Sequence, residues 1–137
     1  MRKRFLSFVI VATLLLTSGC HRGSNQNTGS NVVSSILITG QSDTETIRRY
    51  YNTPDKIRLV LLYIRSVSGG FTAQVDPTTL PGSSIRILTV SADNTQKVYQ
   101  QKSDCYFQSA TGTWQEIDPE KGAKLWKLLK QTPSDPE

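Results

Sequence analysis

Two short signals, Thr53-Pro54-Asp55 and Asp118-Pro119-Glu120, constrain this chain more than anything else in it. In each, a Thr or Asp stands where its side chain can accept from the free N–H groups of a first helical turn. A proline follows where its missing N–H is not needed, and an acid lies at the positive end of the helix dipole. The residues after each signal repeat with a period of 3.6. In the first stretch Ile57, Val60, Leu61, Ile64 and Val67 share a face, Arg58 and Arg65 fall opposite, and Ser68-Gly69-Gly70 stops the helix. In the second, Gly122, Leu125, Trp126, Leu128 and Leu129 share a broad face, with Lys124, Lys127 and Lys130 on the other, as far as Gln131. Two amphipathic helices of this kind each need an apolar surface to cover.

The remaining segments supply that surface as short strands. Val32 to Thr39 is rich in β-branched residues; Gly40 to Asp43 reads as a turn, and Thr44 to Tyr51 as a second strand of the same hairpin. Phe71 to Val75 alternates as a short strand, and Asp76 to Ser83 is a loop with two prolines. Ser84 to Ala92 is the clearest strand, Asp93-Asn94 a hairpin turn, Gln96 to Lys102 its return, Asp104 to Ser109 a further strand, and Thr111-Gly112 another turn. The fold class that follows is α+β, a mostly antiparallel sheet of four to six strands with two helices packed on one face. A single domain is expected over residues 32–132. Residues 133–137, with two prolines among them, are expected to form a disordered tail. With 137 residues, 36% of them hydrophobic and 20% charged, the chain has enough apolar surface for one core and no second domain.

The N-terminus is of another kind. Met1 to Arg4 is basic, Phe5 to Leu16 is apolar, and Leu16-Thr17-Ser18-Gly19-Cys20 turns small before a cysteine. That is the three-part layout of a secretory signal, and its apolar run is shorter than the roughly 20 residues a membrane span needs. Thr17-Ser18-Gly19-Cys20 resembles the lipobox of bacterial lipoproteins, with Thr17 where leucine is commonest and Leu16 one place early. The resemblance covers residues 1–20. It implies cleavage between Gly19 and Cys20, a diacylglyceryl thioether on Cys20, and a location on the extracytoplasmic face of the cell membrane. Lipid through the Cys20 anchor is then the first expected partner; two or three acyl chains at about 0.8 kcal/mol per buried methylene give lasting attachment where one does not. Residues 1–19 are thus expected as signal peptide. Residues 20–31, reading on as HRGSNQNTGSN without an aliphatic side chain, are expected as lipidated cysteine and flexible tether.

Charge excludes less than it first suggests. The chain has sixteen Lys and Arg against eleven Asp and Glu, a formal +5. Arg2, Lys3 and Arg4 leave with a cleaved signal, so thirteen basic residues face eleven acidic ones, a balance near +2. That is no footprint for nucleic acid, which is not expected as a partner.

Catalytic sets are sparse. The lone histidine, His21, lies in the tether and cannot hold a geometry, which argues against the serine and cysteine triads and histidine metal sites. No phosphate-loop, dinucleotide-binding or nucleophile-elbow motif is present. If Cys20 is a thioether, Cys105 has no partner in the chain, and it is expected as a small buried hydrophobe. Glu116, Asp118 and Glu120 form the densest acidic cluster, but Asp118 and Glu120 already suit a helix start. No catalytic residue, metal ligand or cofactor is assigned.

What remains is surface. Lys121, Lys124, Lys127 and Lys130 form one basic group; Arg48, Arg49, Arg58 and Arg65 form a second. Either group can face anionic headgroups or wall polymers. Among the aromatic residues Trp114, after Thr111-Gly112-Thr113, is expected to be exposed, so Trp114, Arg58 and Arg65 are the candidate partner contacts. The body resembles small exported α+β domains of unknown function, a resemblance that brings no site residues. The leading expectation is a non-enzymatic, membrane-anchored binding module of the cell envelope, with an envelope protein or a wall polymer as partner. The alternatives are a cell-attached inhibitor or immunity-type protein, favoured by a rigid exposed loop at Asp76 to Ser83, and a carboxylate-dependent hydrolase, favoured by a pocket gathering Glu116 and Asp118.

Overall fold

A computed structural model describes residues 32–137. The expected signal peptide, with Gly19, and the expected lipidated Cys20, His21 and tether lie outside the described residues. Val33–Glu137 forms a compact unit.

Seven strands and two α-helices make an α+β fold: β1 (Val33–Gln41), β2 (Thr46–Tyr51), α1 (Pro54–Val67), β3 (Phe71–Thr72), β4 (Ser84–Ser91), β5 (Gln96–Lys102), β6 (Tyr106–Gln108), β7 (Trp114–Glu116) and α2 (Pro119–Gln131). A 3₁₀ turn, Pro77–Thr79, sits in the β3–β4 loop. All neighbours in the sheet are antiparallel, in the order β2-β1-β4-β5-β6-β7-β3. The expected count of four to six strands is corrected to seven. The added strand is Trp114–Glu116, whose three residues pair with β6 on one side and β3 on the other. So short a segment has no alternation of its own to read.

Gly40-Gln41, expected as a turn, continues β1, and the reversal moves on to Ser42–Glu45, where Ser42 N donates to Glu45 O at 2.8 Å. Gly40 belongs in the strand because α2 crosses it: a Cβ there would lie 2.9 Å from Ile47 Cγ2 and 3.2 Å from Trp126 Cη2. The β4–β5 turn is as expected, with Asn94 at φ 67°. Phe71–Val75 shortens to two residues of strand, and Phe71 is 86% exposed.

The pleat sorts the strand residues into two faces. One carries the core: Ile36 and Ile38 of β1, Ile47 and Tyr51 of β2, Ile85 and Ile87 of β4, and Phe107 of β6 are buried. Against them lie Ile57, Val60, Tyr63, Ile64 and Val67 of α1 and Leu125 and Leu129 of α2, in one cluster. Gln101 of β5 is a buried polar residue on the same face, with Thr89 and Ser91 of β4. Its Oε1 accepts from the Tyr63 hydroxyl and its Nε2 donates to Gly122 O at 2.9 Å, so one side chain ties the sheet to both helices. Tyr63 also meets Phe107 edge to face at 6.5 Å, and Tyr99 stacks on Phe107 at 6.0 Å. Gly122 lets α2 come close, since a Cβ there would stand 2.0 Å from Asp104 O.

Asp118 caps α2 as expected, accepting from Glu120 N at 2.9 Å. Thr53 does not cap α1 with its side chain. Asp135 instead braces the segment that leads into the helix: its Oδ2 accepts from Asn52 N and Thr53 N at 2.9 Å each and its Oδ1 meets Lys56 Nζ at 2.6 Å. The tail, expected to be disordered, is therefore docked. Asp135 N donates to Tyr50 O at 2.7 Å and Tyr50 N to Ser134 Oγ at 2.9 Å, along the outer edge of β2. The tail finds backbone partners there because an edge strand leaves them unpaired.

Candidate binding face

The second face of the sheet is read from the register. One row crosses four strands with apolar side chains, Tyr50, Leu37, Leu88 and Val98, all half-buried. The next row is polar. Thr39 of β1 stands directly between Arg48 of β2 and Arg86 of β4, and the row runs on through Gln100, Gln108 and Trp114. The last row carries Thr46, Gln41, Ser84 and Lys102, then Tyr106 and Glu116.

Thr39, Ser84 and Thr46 are short, while Arg86, Gln41 and Gln100 are long. The result is a shallow depression of about 240 Å³ whose floor includes the backbone of Gly40 and Ile85. On β2, β1, β4 and β5 this face carries the cations Arg48, Arg86 and Lys102 and no carboxylate of its own. One carboxylate reaches it from elsewhere: Glu137 Oε1 meets Arg48 Nη2 at 2.5 Å, which lowers the glutamate's pKa and raises that of the arginine. Lys102 Nζ is held by Gly82 O at 3.1 Å and Ser84 Oγ at 3.2 Å. Among the described residues Arg86 forms no ion pair.

The expected contact residues are dispersed. Trp114 is in β7 rather than a turn, half-buried, on this second face beyond Gln108. Arg58 and Arg65 are exposed on α1 on the side away from Ile57, Val60 and Ile64, flanking the half-exposed Leu62. They do not join Arg48 and Arg49, which the pleat sends to opposite faces. Arg49 Nε donates to Leu129 O at 2.9 Å on the core side. The four lysines of α2 are exposed, and Lys130 pairs with Glu45 at 2.7 Å. Cys105 is half-buried in the turn before β6 rather than buried within a strand.

A second depression, about 260 Å³, lies between the end of α1 and the start of α2 and gathers Glu116, Asp118 and Lys121 beside Ser66, Ser68 and Phe71. All three charged residues are exposed, and Asp118 Oδ1 is already engaged as a helix cap. Sequence reasoning did not find the Arg48–Thr39–Arg86 row, because three residues from three strands meet only through register. No protein family, no curated protein and no solved structure matches this chain.

Proposed function

We propose that this protein is a lipid-anchored, non-enzymatic binding module on the extracytoplasmic face of the cell membrane. On this reading both helices pack on the one face of the sheet, and the other face is the one that meets a partner. The observation that carries it is the polar, cationic band on that second face, with Thr39 between Arg48 and Arg86 and a depression beside it. An apolar row next to a row of hydroxyl, amide and guanidinium groups gives contact area and directional donors together, which recognition of a polar polymer needs. The anchor rests on the lipobox resemblance at Thr17 to Cys20.

Two measurements test the reading. Cys20→Ala is expected to move the protein out of the membrane fraction, and unchanged detergent partitioning would sink the anchor. Purified, protein-free envelope polymer is expected to sediment the full chain at physiological salt; a chain left wholly in the supernatant would remove the binding module. One observation favours the inhibitor alternative: in the Asp76–Ser83 loop Asp76 Oδ1 accepts from Thr78 N at 3.0 Å and Thr78 Oγ1 at 2.6 Å, and Pro77 is buried. A loop locked in this way suits insertion into an enzyme cleft.

A further inference from the structure

We propose that the outer side of the helical layer, centred on Leu62 of α1, seats the domain on the anionic bilayer that its lipid anchor enters; this rests on the anchored-module reading above. At 3.6 residues per turn, Leu62 lies diametrically opposite the gap between Val60 and Ile64, two of the residues that α1 buries in the core. It therefore points straight away from the sheet, and it is 50% exposed. Leu59, 45% exposed, lies on one flank of it, and Arg58 and Arg65, both exposed, lie on the other. A single exposed leucine is ordinary on a protein surface. Two on one outward arc, bordered by two arginines, make an amphipathic strip that faces away from the core.

Charge decides what the strip faces. α2 shares the core cluster and neighbours α1, so its outer side adds Lys124 and Lys127 to Arg58 and Arg65. Among the described residues none of these four cations forms an ion pair, and the carboxylates on the same two arcs are Asp55 and Glu120, one in each first turn. A soluble polyanion would satisfy the cations and leave both leucines in water. The interface of an anionic bilayer takes both, because aliphatic side chains enter the boundary of the acyl region while guanidinium and ammonium groups stay among the headgroups. The expected tether reaches far enough. Eleven residues, 21–31, separate Cys20 from Val32 and span roughly 15–20 Å as a coil. The described chain begins at the end of β1 beside Tyr51, and α1 starts three residues after Tyr51, at Pro54. The strip is thus held at high effective concentration near the surface that takes the anchor, and a weak contact suffices. It does not hold the protein without the lipid, so Cys20→Ala still releases it. Seated this way, the domain turns the second face of the sheet, with Thr39 and Arg86, away from the membrane.

The test uses the lipidated protein reconstituted into vesicles. It carries an environment-sensitive nitrobenzoxadiazole label on Leu62→Cys or, for reference, on Thr39→Cys, each in a Cys105→Ser background. In vesicles containing phosphatidylglycerol the label at position 62 is expected to emit at shorter wavelength and more brightly than the label at position 39. In vesicles of phosphatidylcholine alone the two are expected to differ much less. With each cation near an anionic surface worth about fivefold, adding Arg58→Gln and Arg65→Gln is expected to lower the ratio of seated to free domain about tenfold or more. Position 62 then returns towards the spectrum of position 39. Equal emission from the two positions on a chain that does sediment with the vesicles overturns the proposal and leaves the anchor and the binding module standing. A blue shift at position 62 that survives Arg58→Gln with Arg65→Gln unchanged also overturns it. So does one that appears in detergent solution and grows with protein concentration, which makes the strip a contact between copies instead. A chain that does not sediment with the vesicles removes the anchor, and the proposal with it.

Discussion

Replacing Gln101 by leucine is expected to unfold this protein at markedly lower temperature, although the substitution puts an apolar residue of similar length into the core. Gln101 is 1% exposed and serves two buried partners, the Tyr63 hydroxyl and Gly122 O. Leucine satisfies neither. Each polar group left buried and unpaired costs about 1–3 kcal/mol, and the gain from burying leucine's methyls offsets about 1 kcal/mol of the total. The net loss is on the order of 2–4 kcal/mol. For a domain of about 100 residues each kcal/mol lowers Tm by roughly 4–8 °C, so a fall of about 10–25 °C is expected. Tyr63→Phe alone strands only the Gln101 Oε1 and costs about 1–3 kcal/mol. Once Gln101→Leu is in place the Tyr63 hydroxyl has no partner, so adding Tyr63→Phe is expected to recover about 1 kcal/mol or more. Thermal unfolding of the full chain, followed by near-ultraviolet circular dichroism, gives all four corners of the cycle. Losses in the double variant equal to the sum of the two single losses would refute the reasoning, for they would mean that the two side chains do not depend on each other.

Gly122→Ala is expected to destabilise by at least as much, because the new Cβ falls 2.0 Å from Asp104 O and α2 must lift from the sheet; a Tm within 2 °C, or about that, of the parent would contradict it. Burial raises the pKa of Tyr51 to about 12 and pushes those of Tyr63 and Tyr99 upward as well. A folded pKa above the unfolded value of about 10 gives stability that is full below pH 10, or about there, and lost as pH rises through the folded value. Absorbance at alkaline pH is therefore expected to show three of the five tyrosines ionising late, together with unfolding. Three ionisations completed before any loss of ellipticity would argue against their burial. Hydrogen bonding to Lys56 and to the Asn52 and Thr53 amides holds the Asp135 carboxyl well below the ordinary range. A depressed pKa contributes stability above the unfolded value and loses it as pH falls through the folded one, so the tail is expected to stay docked through pH 4 and to release only in stronger acid. Amide exchange at Asp135 reads this directly. Deleting Ser134 to Glu137 is expected to bare the β2 edge and raise self-association with concentration in sedimentation runs; unchanged sedimentation would show that the tail does not guard that edge.

What was legible in the sequence was local. Both helices were readable to their first residues because proline, an acid and a 3.6 period all act within a few positions of one another. β4 and β5 were readable because they are long enough to alternate and are joined by an Asp-Asn turn. β7 was not, because Trp114–Glu116 is defined by what lies on either side of it, and three residues alternate in any sequence. The entry to α1 was hidden for a related reason. Thr53 has the chemistry of a cap but makes no side-chain cap hydrogen bond, and the carboxylate that steadies the approach to the helix, Asp135, arrives from far along the chain onto the amides of Asn52 and Thr53. The candidate face shows the same division. Alternation in β4 separates Ile85 and Ile87 from Arg86, yet Leu88 and Val90 make both sides partly apolar, so alternation alone does not say which side the helices cover.

The management of the sheet's edges bears on where a partner can meet this protein. Partners often join a sheet by adding a strand, and that requires a free row of backbone groups at an edge. At one edge, β2 has the N–H and C=O of Tyr50 taken by Ser134 and Asp135, with Arg48 engaged by Glu137 beyond them. At the other, β3 is two residues long, too short to template an incoming strand. With both edges blunted, a partner of the kind proposed would have to meet side chains rather than backbone, and side chains on a sheet present themselves as rows across the strands. The row with the most directional chemistry is the one that places Thr39 between two arginines. The tail that closes the β2 edge also sets the Glu137 carboxylate on one of those arginines, Arg48, so the same few residues cover the edge and neutralise part of that row.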